Sequence, residues 1–170
     1  MASSSIGLYI DSIYRLNVTR EVPEVKHREP SAIRQVQIAP VLRLGTLDSM
    51  RRQIDYRLAR RAVLREWRLG KIGRAEVCDA HPELVRAARH LGEATTQECP
   101  ICEKNNLRLV SYVYGDSLKA ANGRCVTNQG ELDRLGENYD EFACYVVEVC
   151  TECNWNHLTR SYLLGRRHAG

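Results

Sequence analysis

Hydrophobic positions between residues 51 and 92 recur with the spacing of amphipathic helices. A first helix is predicted over residues 51–69, which contain no glycine or proline and carry one apolar stripe formed by Ile54, Leu58 and Ala62. A further helix is predicted from Pro82, which suits the first helical position, to just before Gly92, which suits the position after the last turn. Residues 74–80 are predicted to add one or two helical turns between them.

The pattern changes from helical spacing to strands after residues 93–98, which are predicted to be a polar joint. Strands are predicted at residues 107–114, 142–149 and 158–164. The middle strand has one wholly apolar face, which we expect to meet the core, formed by Ala143, Tyr145, Val147 and Val149. The intervening residues 117–141 are predicted to be a loop with a short helix at residues 131–135.

Residues 1–49 show neither the 3.6-residue period of a helix nor the two-residue period of a strand, and they differ in composition from the rest of the chain. They hold three of the five prolines and no cysteine. The pattern predicts only a short extended piece around Val36, Ile38 and Val41. We therefore expect an N-terminal extension, and our hypothesis is that translation naturally begins at Met50.

Composition places the chain among globular proteins and excludes a membrane-spanning one. Its 170 residues are 44% hydrophobic and 27% charged, with a net charge of +4. Charged residues interrupt every apolar stretch before it reaches membrane-spanning length, and the N-terminus has no basic region typical of a secretory signal. These features predict a cytoplasmic protein, in which paired cysteines more often bind metal than form disulfides.

Two CxxC pairs carry the strongest chemical signal. Cys99-Pro-Ile-Cys102 precedes one predicted strand, and Cys150-Thr-Glu-Cys153 follows another. A CxxC turn points two sulfurs at one ion, and two such turns make a tetrahedral four-sulfur site that suits zinc. Four thiolates leave no coordination position for water or substrate, so we predict one structural Zn²⁺ per chain. The alternative is a thiol-redox or zinc-linked sensor, in which these four cysteines exchange disulfides or release zinc on oxidation.

Each CxxC turn has the form of a zinc knuckle, the first at residues 99–102 and the second at residues 150–153. The chain resembles a zinc ribbon over residues 97–164, because its elements follow in the order knuckle, strand, insertion, strand, knuckle and strand. That resemblance implies a three-stranded antiparallel sheet capped by one metal. The residue after each ribbon knuckle is often glycine because it turns left-handed, whereas here it is Glu103 and Asn154. Since glutamate tolerates that conformation poorly, the first knuckle is expected to be less regular than those of the family.

A narrower resemblance covers residue 50 to the end of the chain. Residues 76–84, the first knuckle and residues 150–157 together are similar to a family of small uncharacterised actinobacterial proteins, a domain of unknown function. This resemblance supports a helical and ribbon-like unit and implies no activity.

Other cysteine and histidine side chains are weaker candidates. Cys78 and His81 have the close spacing of a second metal site or a catalytic pair, but a buried cysteine and a helix-capping histidine explain them as well. Cys125 and Cys144 are expected to be packing residues. His157, four residues after Cys153, is expected to stay out of a metal shell that four sulfurs complete.

The first helix is strongly basic. Residues 51–74 hold eight arginines and one lysine against Asp55 and Glu66, a local excess of +7. One reading is a solvated face, and the other is docking on phosphates or on an acidic protein surface. The docking candidates are Arg51, Arg52, Arg57, Arg60, Arg61, Arg65 and Arg68, with Trp155 as a residue on which a base could stack.

Together these patterns predict an α+β protein with three parts. Residues 1–49 form the extension, residues 50–92 an arginine-rich helical subdomain, and residues 93–170 a zinc-ribbon-like domain with an elaborated three-stranded sheet. No common catalytic motif occurs, so we expect a non-enzymatic module without a small-molecule substrate. Its predicted partner is nucleic acid or the transcription or translation machinery, and a purely protein-binding adaptor is the alternative.

Overall fold

A six-stranded sheet, with every pairing antiparallel, forms the centre of the fold. The computed structural model describes residues 53–166. The sheet order is β1-β6-β5-β3-β2, and β4 pairs separately with β3. The strands are β1 (Gln53–Asp55), β2 (Glu93–Glu98), β3 (Asn106–Tyr114), β4 (Arg124–Val126), β5 (Phe142–Val149) and β6 (Asn156–Leu164).

Helices precede the sheet and fill its long connection. They are α1 (Arg57–Arg68), α2 (Arg74–Val77), α3 (Pro82–His90) and α4 (Gln129–Asn138), with a 3₁₀ segment at Asp116–Ala121. Helix α3 begins at Pro82, and His81 caps it by accepting a hydrogen bond from the Glu83 amide at 3.2 Å. Asn128 caps α4 in the same way through the Glu131 amide, at 2.9 Å. Side-chain oxygen or nitrogen thus satisfies amides that the helix itself leaves unpaired.

The main helices and strands predicted from periodicity are confirmed. Helix α3 and strands β3, β5 and β6 lie within two residues of the predicted bounds, and β5 coincides with its prediction. Helix α1 ends as predicted but begins at Arg57 instead of residue 51, because residues 53–55 pair with β6 as β1. The predicted apolar stripe was wrong: Ile54, Leu58 and Ala62 are all exposed, and α1 buries Leu64 instead. Residues 93–98 are predicted to be a polar joint but form β2, an edge strand. Its side chains are mostly exposed, so its sequence lacks the apolar face from which strands are predicted. The predicted loop at residues 117–141 contains β4, and its helix is longer than expected.

Both faces of the sheet are covered, not one. On the first face, Leu84 and Val85 of α3 pack against Val110 and Val147. On the second face, the 3₁₀ segment and α4 supply Leu118, Leu132 and Leu135, which pack with strand residues that include Phe142 and Val146. The sheet is therefore a buried layer in a mixed α and β protein, and a three-stranded ribbon is not confirmed.

A third cluster lies where the two cysteine pairs meet. Leu64 of α1, Ile72 and Val77 pack there with Leu107, Trp155 and the cysteines. Helical residues from the 50–92 segment thus share two cores with the sheet. The division of the chain at residue 92 stays a prediction.

Several predictions fall outside the described residues. These are the extension at residues 1–49 with its extended piece, the start at Met50, and the docking roles of Arg51 and Arg52. Within residues 53–166, no helix has both the length and the apolar character needed to cross a membrane.

Candidate metal centre

The antiparallel pairing of β3 with β5 brings the two CxxC pairs together. Cys99 and Cys102 lie before β3, and Cys150 and Cys153 lie after β5. Because Arg108 is the register partner of Val149, the start of β3 lies beside the end of β5. One ligand-type atom from each of the four cysteines lies within 4.8 Å of all the others. The sequence-predicted ligands therefore form one cluster at one end of the sheet.

Sulfur distances across the two knuckles fit a common ion. Cys99 Sγ lies 3.5 Å from Cys153 Sγ, and Cys102 Sγ lies 3.6 Å from Cys150 Sγ. A tetrahedron of sulfurs about 2.3 Å from a zinc ion has edges of about 3.8 Å. The observed distances are near that edge and far above the roughly 2.05 Å of a disulfide. The donor set and its spacing therefore fit one tetrahedral metal ion.

The two knuckles have matching backbone turns. The Glu103 amide donates to the Cys99 carbonyl, and the Asn154 amide donates to the Cys150 carbonyl, both at 3.1 Å. Glu103 and Asn154 both have left-handed backbones, with φ of 55° and 65°. The knuckles differ in their closing bond, because the Cys99 amide donates to Asn105 and the Cys150 amide to Trp155, one residue nearer. Glu103 therefore adopts the turn that glycine favours.

Burial makes two of the four thiols poor acids unless a cation is present. Desolvation raises the pKa of Cys99 to about 11 and raises that of Cys153 further above its usual value. Burial also opposes ionisation of Cys102, but the Lys104 amide and the neighbouring thiols outweigh it and lower its pKa to about 7. A bound cation removes the cost of the remaining thiolates, so ionisation and metal binding are coupled here.

A buried polar network supports the second knuckle. Trp155 is fully buried, and its indole N–H donates to Glu148 Oε1 at 2.9 Å. Arg60 Nε of α1 donates to the same oxygen at 2.6 Å. Burial raises the pKa of Glu148, while the Arg60 charge acts in the opposite direction. This network joins α1 to the chain beside Cys150 and Cys153.

The segment between α2 and α3 is attached to the same knuckle. The Ala80 amide donates to the Asn154 carbonyl at 3.0 Å, and Asn156 Nδ2 donates to Asp79 Oδ1 at 2.8 Å. Cys78 packs against the cysteine cluster but is not one of its four converging cysteines. His81 caps α3, which agrees with the helix-capping role that the sequence offered as the alternative to a metal or catalytic role.

Comparison with known proteins identifies the family. Residues 47–170 match the model of a family of unknown function, DUF5318. The chain belongs to this family. It is 49% identical over 112 residues to uncharacterised proteins of Mycobacterium bovis and of two Mycobacterium tuberculosis strains, an alignment that covers 66% of this chain and 81% of each relative. No solved structure matches the chain.

The DUF5318 assignment agrees with the resemblance to small uncharacterised actinobacterial proteins. The matched span contains all four converging cysteines, together with Arg60, Glu148 and Trp155 of the adjacent polar network. Since the family and these relatives have no described activity, the chemistry of this DUF5318 protein has to be inferred from its own side chains.

Two predicted docking residues do not fit the structure. Trp155 is fully buried and stacks on His157 with its ring centroid 6.0 Å away, so no face is open to a base. The Arg60 side chain retains only 17% exposure and is bonded to Glu148. Both residues support the fold around the cysteines instead of contacting a partner.

The other predicted arginines lie on the surface of α1. Arg57 pairs with Asp55 at 2.8 Å, whereas Arg61, Arg65 and Arg68 are exposed. Among the weaker candidates, Cys144 is buried in the second core and Cys125 is half-buried beside the first. His157 is buried, and its Nδ1 is directed at the Leu158 carbonyl, 2.6 Å away.

Sequence reasoning missed Glu148 as a residue of the site. Its signal is a carboxylate inside an otherwise apolar strand, two residues before Cys150. A buried carboxylate needs a partner, and the basic helix α1 supplies it through Arg60.

Replacing Glu103 with glycine should stabilise the protein. A left-handed backbone destabilises the folded state by about 1–2 kcal/mol at a residue with a side chain. Glycine avoids this cost, but it loses more conformational entropy on folding, which offsets part of the gain. We expect Glu103→Gly to raise the free energy of unfolding by about 0.5–1 kcal/mol in urea titrations. Asn154→Gly is the matched control and should change it less, because asparagine tolerates this conformation. Equal or lower stability of Glu103→Gly would contradict the proposed strain.

His157 should make the protein less stable in acid. Burial lowers its pKa to about 4, so the folded protein keeps the ring neutral while the unfolded chain binds a proton below its usual pKa of 6.5. Stability therefore falls as the pH drops from about 6.5 to 4, by about 3 kcal/mol from this residue.

Any loss of metal in acid would destabilise wild type and His157→Gln alike. The difference between their free energies of unfolding therefore gives the contribution of His157 alone. Urea titrations between pH 7 and 4.5 should show a shallower loss of stability in His157→Gln. Parallel pH profiles of the two proteins would contradict the assignment.

Proposed function

We propose that this protein is a non-enzymatic binding module whose four cysteines hold one structural Zn²⁺ per chain. Support comes from the donor set, since four sulfurs in a tetrahedral arrangement suit zinc better than oxygen-preferring cations. Three of the ligands, Cys99, Cys150 and Cys153, are buried. The whole site resembles the metal end of a zinc ribbon, built here on a larger sheet.

The closed coordination argues for a structural role. Four thiolates occupy the four positions of tetrahedral zinc, so no position remains for substrate or water. The metal would tie α1 and α2 to the sheet, because Leu64 and Val77 pack in the same cluster as the cysteines. A structural metal of this kind would hold the fold in place, while a different surface of the protein contacts the partner.

The surface that we propose for docking is the arginine stripe, defined as Arg61, Arg65 and Arg68. These side chains follow one another at helical spacing and are exposed. Within residues 53–166 none of the three forms an ion pair, whereas Arg57 and Arg60 have carboxylate partners. Three exposed guanidinium groups on one helix, without an ion pair to any other residue of 53–166, are the observation that carries the proposal.

The partner that we propose is a phosphate polyanion, nucleic acid alone or within a transcription or translation complex in the cytoplasm. Guanidinium groups bind phosphate oxygens in pairs and bind carboxylates in the same way. Exposed Leu58 and Leu69, at 72% and 59%, lie on the same helix or just after it and would add apolar contact. An acidic protein surface is the competing partner.

Metal analysis tests the first half of the proposal. Protein purified without chelator should contain one zinc per chain, and Cys150→Ser should lose it. Removal of zinc by chelation should abolish cooperative thermal unfolding, because structural zinc contributes about 10–16 kcal/mol, comparable with a domain's total stability. Cys125→Ser is the control, since that cysteine lies outside the cluster. Metal-free protein that unfolds at an unchanged temperature would contradict the proposal.

Binding of labelled single-stranded RNA and duplex DNA, measured against salt concentration, tests the second half. Changing Arg61, Arg65 and Arg68 together to glutamine should weaken binding and reduce the slope of log affinity against log salt by about 3. The control changes Arg86, Arg124 and Arg134 to glutamine, which removes the same charge from exposed positions elsewhere. Equal losses in the two variants, or no binding by wild type, would contradict docking through the stripe.

A further inference from the structure

A fifth cysteine is held against the proposed metal site. Cys78 ends α2, and the two residues after it are attached to the second knuckle. Asp79 accepts a hydrogen bond from the Asn156 side chain at 2.8 Å, and Ala80 donates one to the Asn154 carbonyl at 3.0 Å. These two bonds fix Cys78 beside Cys153, which directly precedes Asn154.

Contacts at the sulfur atom agree with this placement. The Cys78 side chain packs in the same cluster as Cys153 and Cys150, and it is close enough to Cys153, Cys150 and Arg74 to interact with them electrostatically. Cys78 is half-buried, whereas Cys153 is buried. Cys125 and Cys144 pack in the other two cores of the described residues. Cys78 is therefore a thiol outside the tetrahedral set that still contacts one of its members.

We propose that Cys78 and Cys153 form a disulfide when the protein meets a hydroperoxide, and that this modification releases the metal. The proposal rests on the four-cysteine zinc site proposed above. Cys78 is the resolving residue, and Cys153 is the ligand that it removes.

The chemistry balances with hydrogen peroxide as the only oxidant. The Cys153 thiolate attacks one peroxide oxygen, the O–O bond breaks, and a sulfenic acid and a hydroxide ion form. The Cys78 sulfur then attacks the Cys153 sulfur, the S–O bond breaks, and the leaving hydroxyl group takes the Cys78 proton to become water. Two sulfurs are oxidised by one electron each in net terms, and one peroxide is reduced.

The disulfide would replace the metal as a link between α2 and the second knuckle. Zinc left with Cys99, Cys102 and Cys150 has lost one of its four thiolates and binds more weakly. Arg74, beside the Cys78 sulfur, is placed to stabilise negative charge that develops there during the attack. Among the described residues, Cys78 is the only thiol outside the four-cysteine set that packs in this cluster.

The test treats zinc-loaded protein with hydrogen peroxide. Zinc release is followed with a chromophoric chelator, and the disulfides are mapped by mass spectrometry of proteolytic peptides. Wild type should release zinc while a Cys78–Cys153 disulfide appears, and a thiol reductant with added zinc should restore the loaded protein. Cys78→Ser should bind zinc in the same ratio but release it about tenfold more slowly, because a neighbouring thiol acts at high effective concentration. Cys125→Ser should behave as wild type.

Disulfide mapping on wild type does not depend on any variant folding correctly. Disulfides formed only within the four-cysteine set, or unchanged zinc release in Cys78→Ser, would overturn the proposal. Absence of zinc from freshly purified protein would instead overturn the proposed metal site. The two failures are therefore distinguishable by metal analysis before peroxide is added.

Discussion

The convergence of four sulfurs at one end of the sheet is the constraint on which the rest of the structure depends. Burial opposes ionisation of Cys99 and Cys153, yet a tetrahedral zinc site needs four thiolates. A bound cation would resolve this conflict, and its binding energy would then become folding energy. The pairing of β3 with β5 creates the site, because it places the chain before one strand beside the chain after the other.

The buried ion pair between Arg60 and Glu148 links the basic helix to this site. Replacing a buried ion pair with apolar residues is often neutral or stabilising, so such a pair is a weak argument for stability alone. Here it has a geometric consequence, because Glu148 also accepts the Trp155 indole hydrogen bond at 2.9 Å. The pair thus fixes which face of α1 turns inward, and with it the face on which Arg61, Arg65 and Arg68 are exposed.

Local spacing in the sequence predicted much of the fold and the sulfur cluster. The 3.6-residue and two-residue periods located α3, β3, β5 and β6, since each has an apolar face to bury. They located α1 only in part, because its predicted apolar stripe of Ile54, Leu58 and Ala62 is exposed. Strands β2 and β4 escaped prediction because they are short or polar and owe their conformation to pairing with β3. The roles of Arg60 and Trp155 were wrongly predicted, because residue type does not reveal which side of a helix or knuckle meets the core.

The number of arginines left without a carboxylate partner among the described residues limits how strongly the protein could bind a polyanion. Composition gives residues 51–74 an excess of +7, which already counts Asp55, the partner of Arg57. Glu148, from outside this segment, neutralises Arg60 as well. Three phosphate contacts correspond to an affinity change of only about 40-fold between 50 and 200 mM salt, modest for a nucleic-acid-binding protein. Such a stripe steers and orients more than it anchors. In the docking that we propose, apolar contacts of the exposed Leu58 and Leu69 would therefore have to add to the three phosphate contacts.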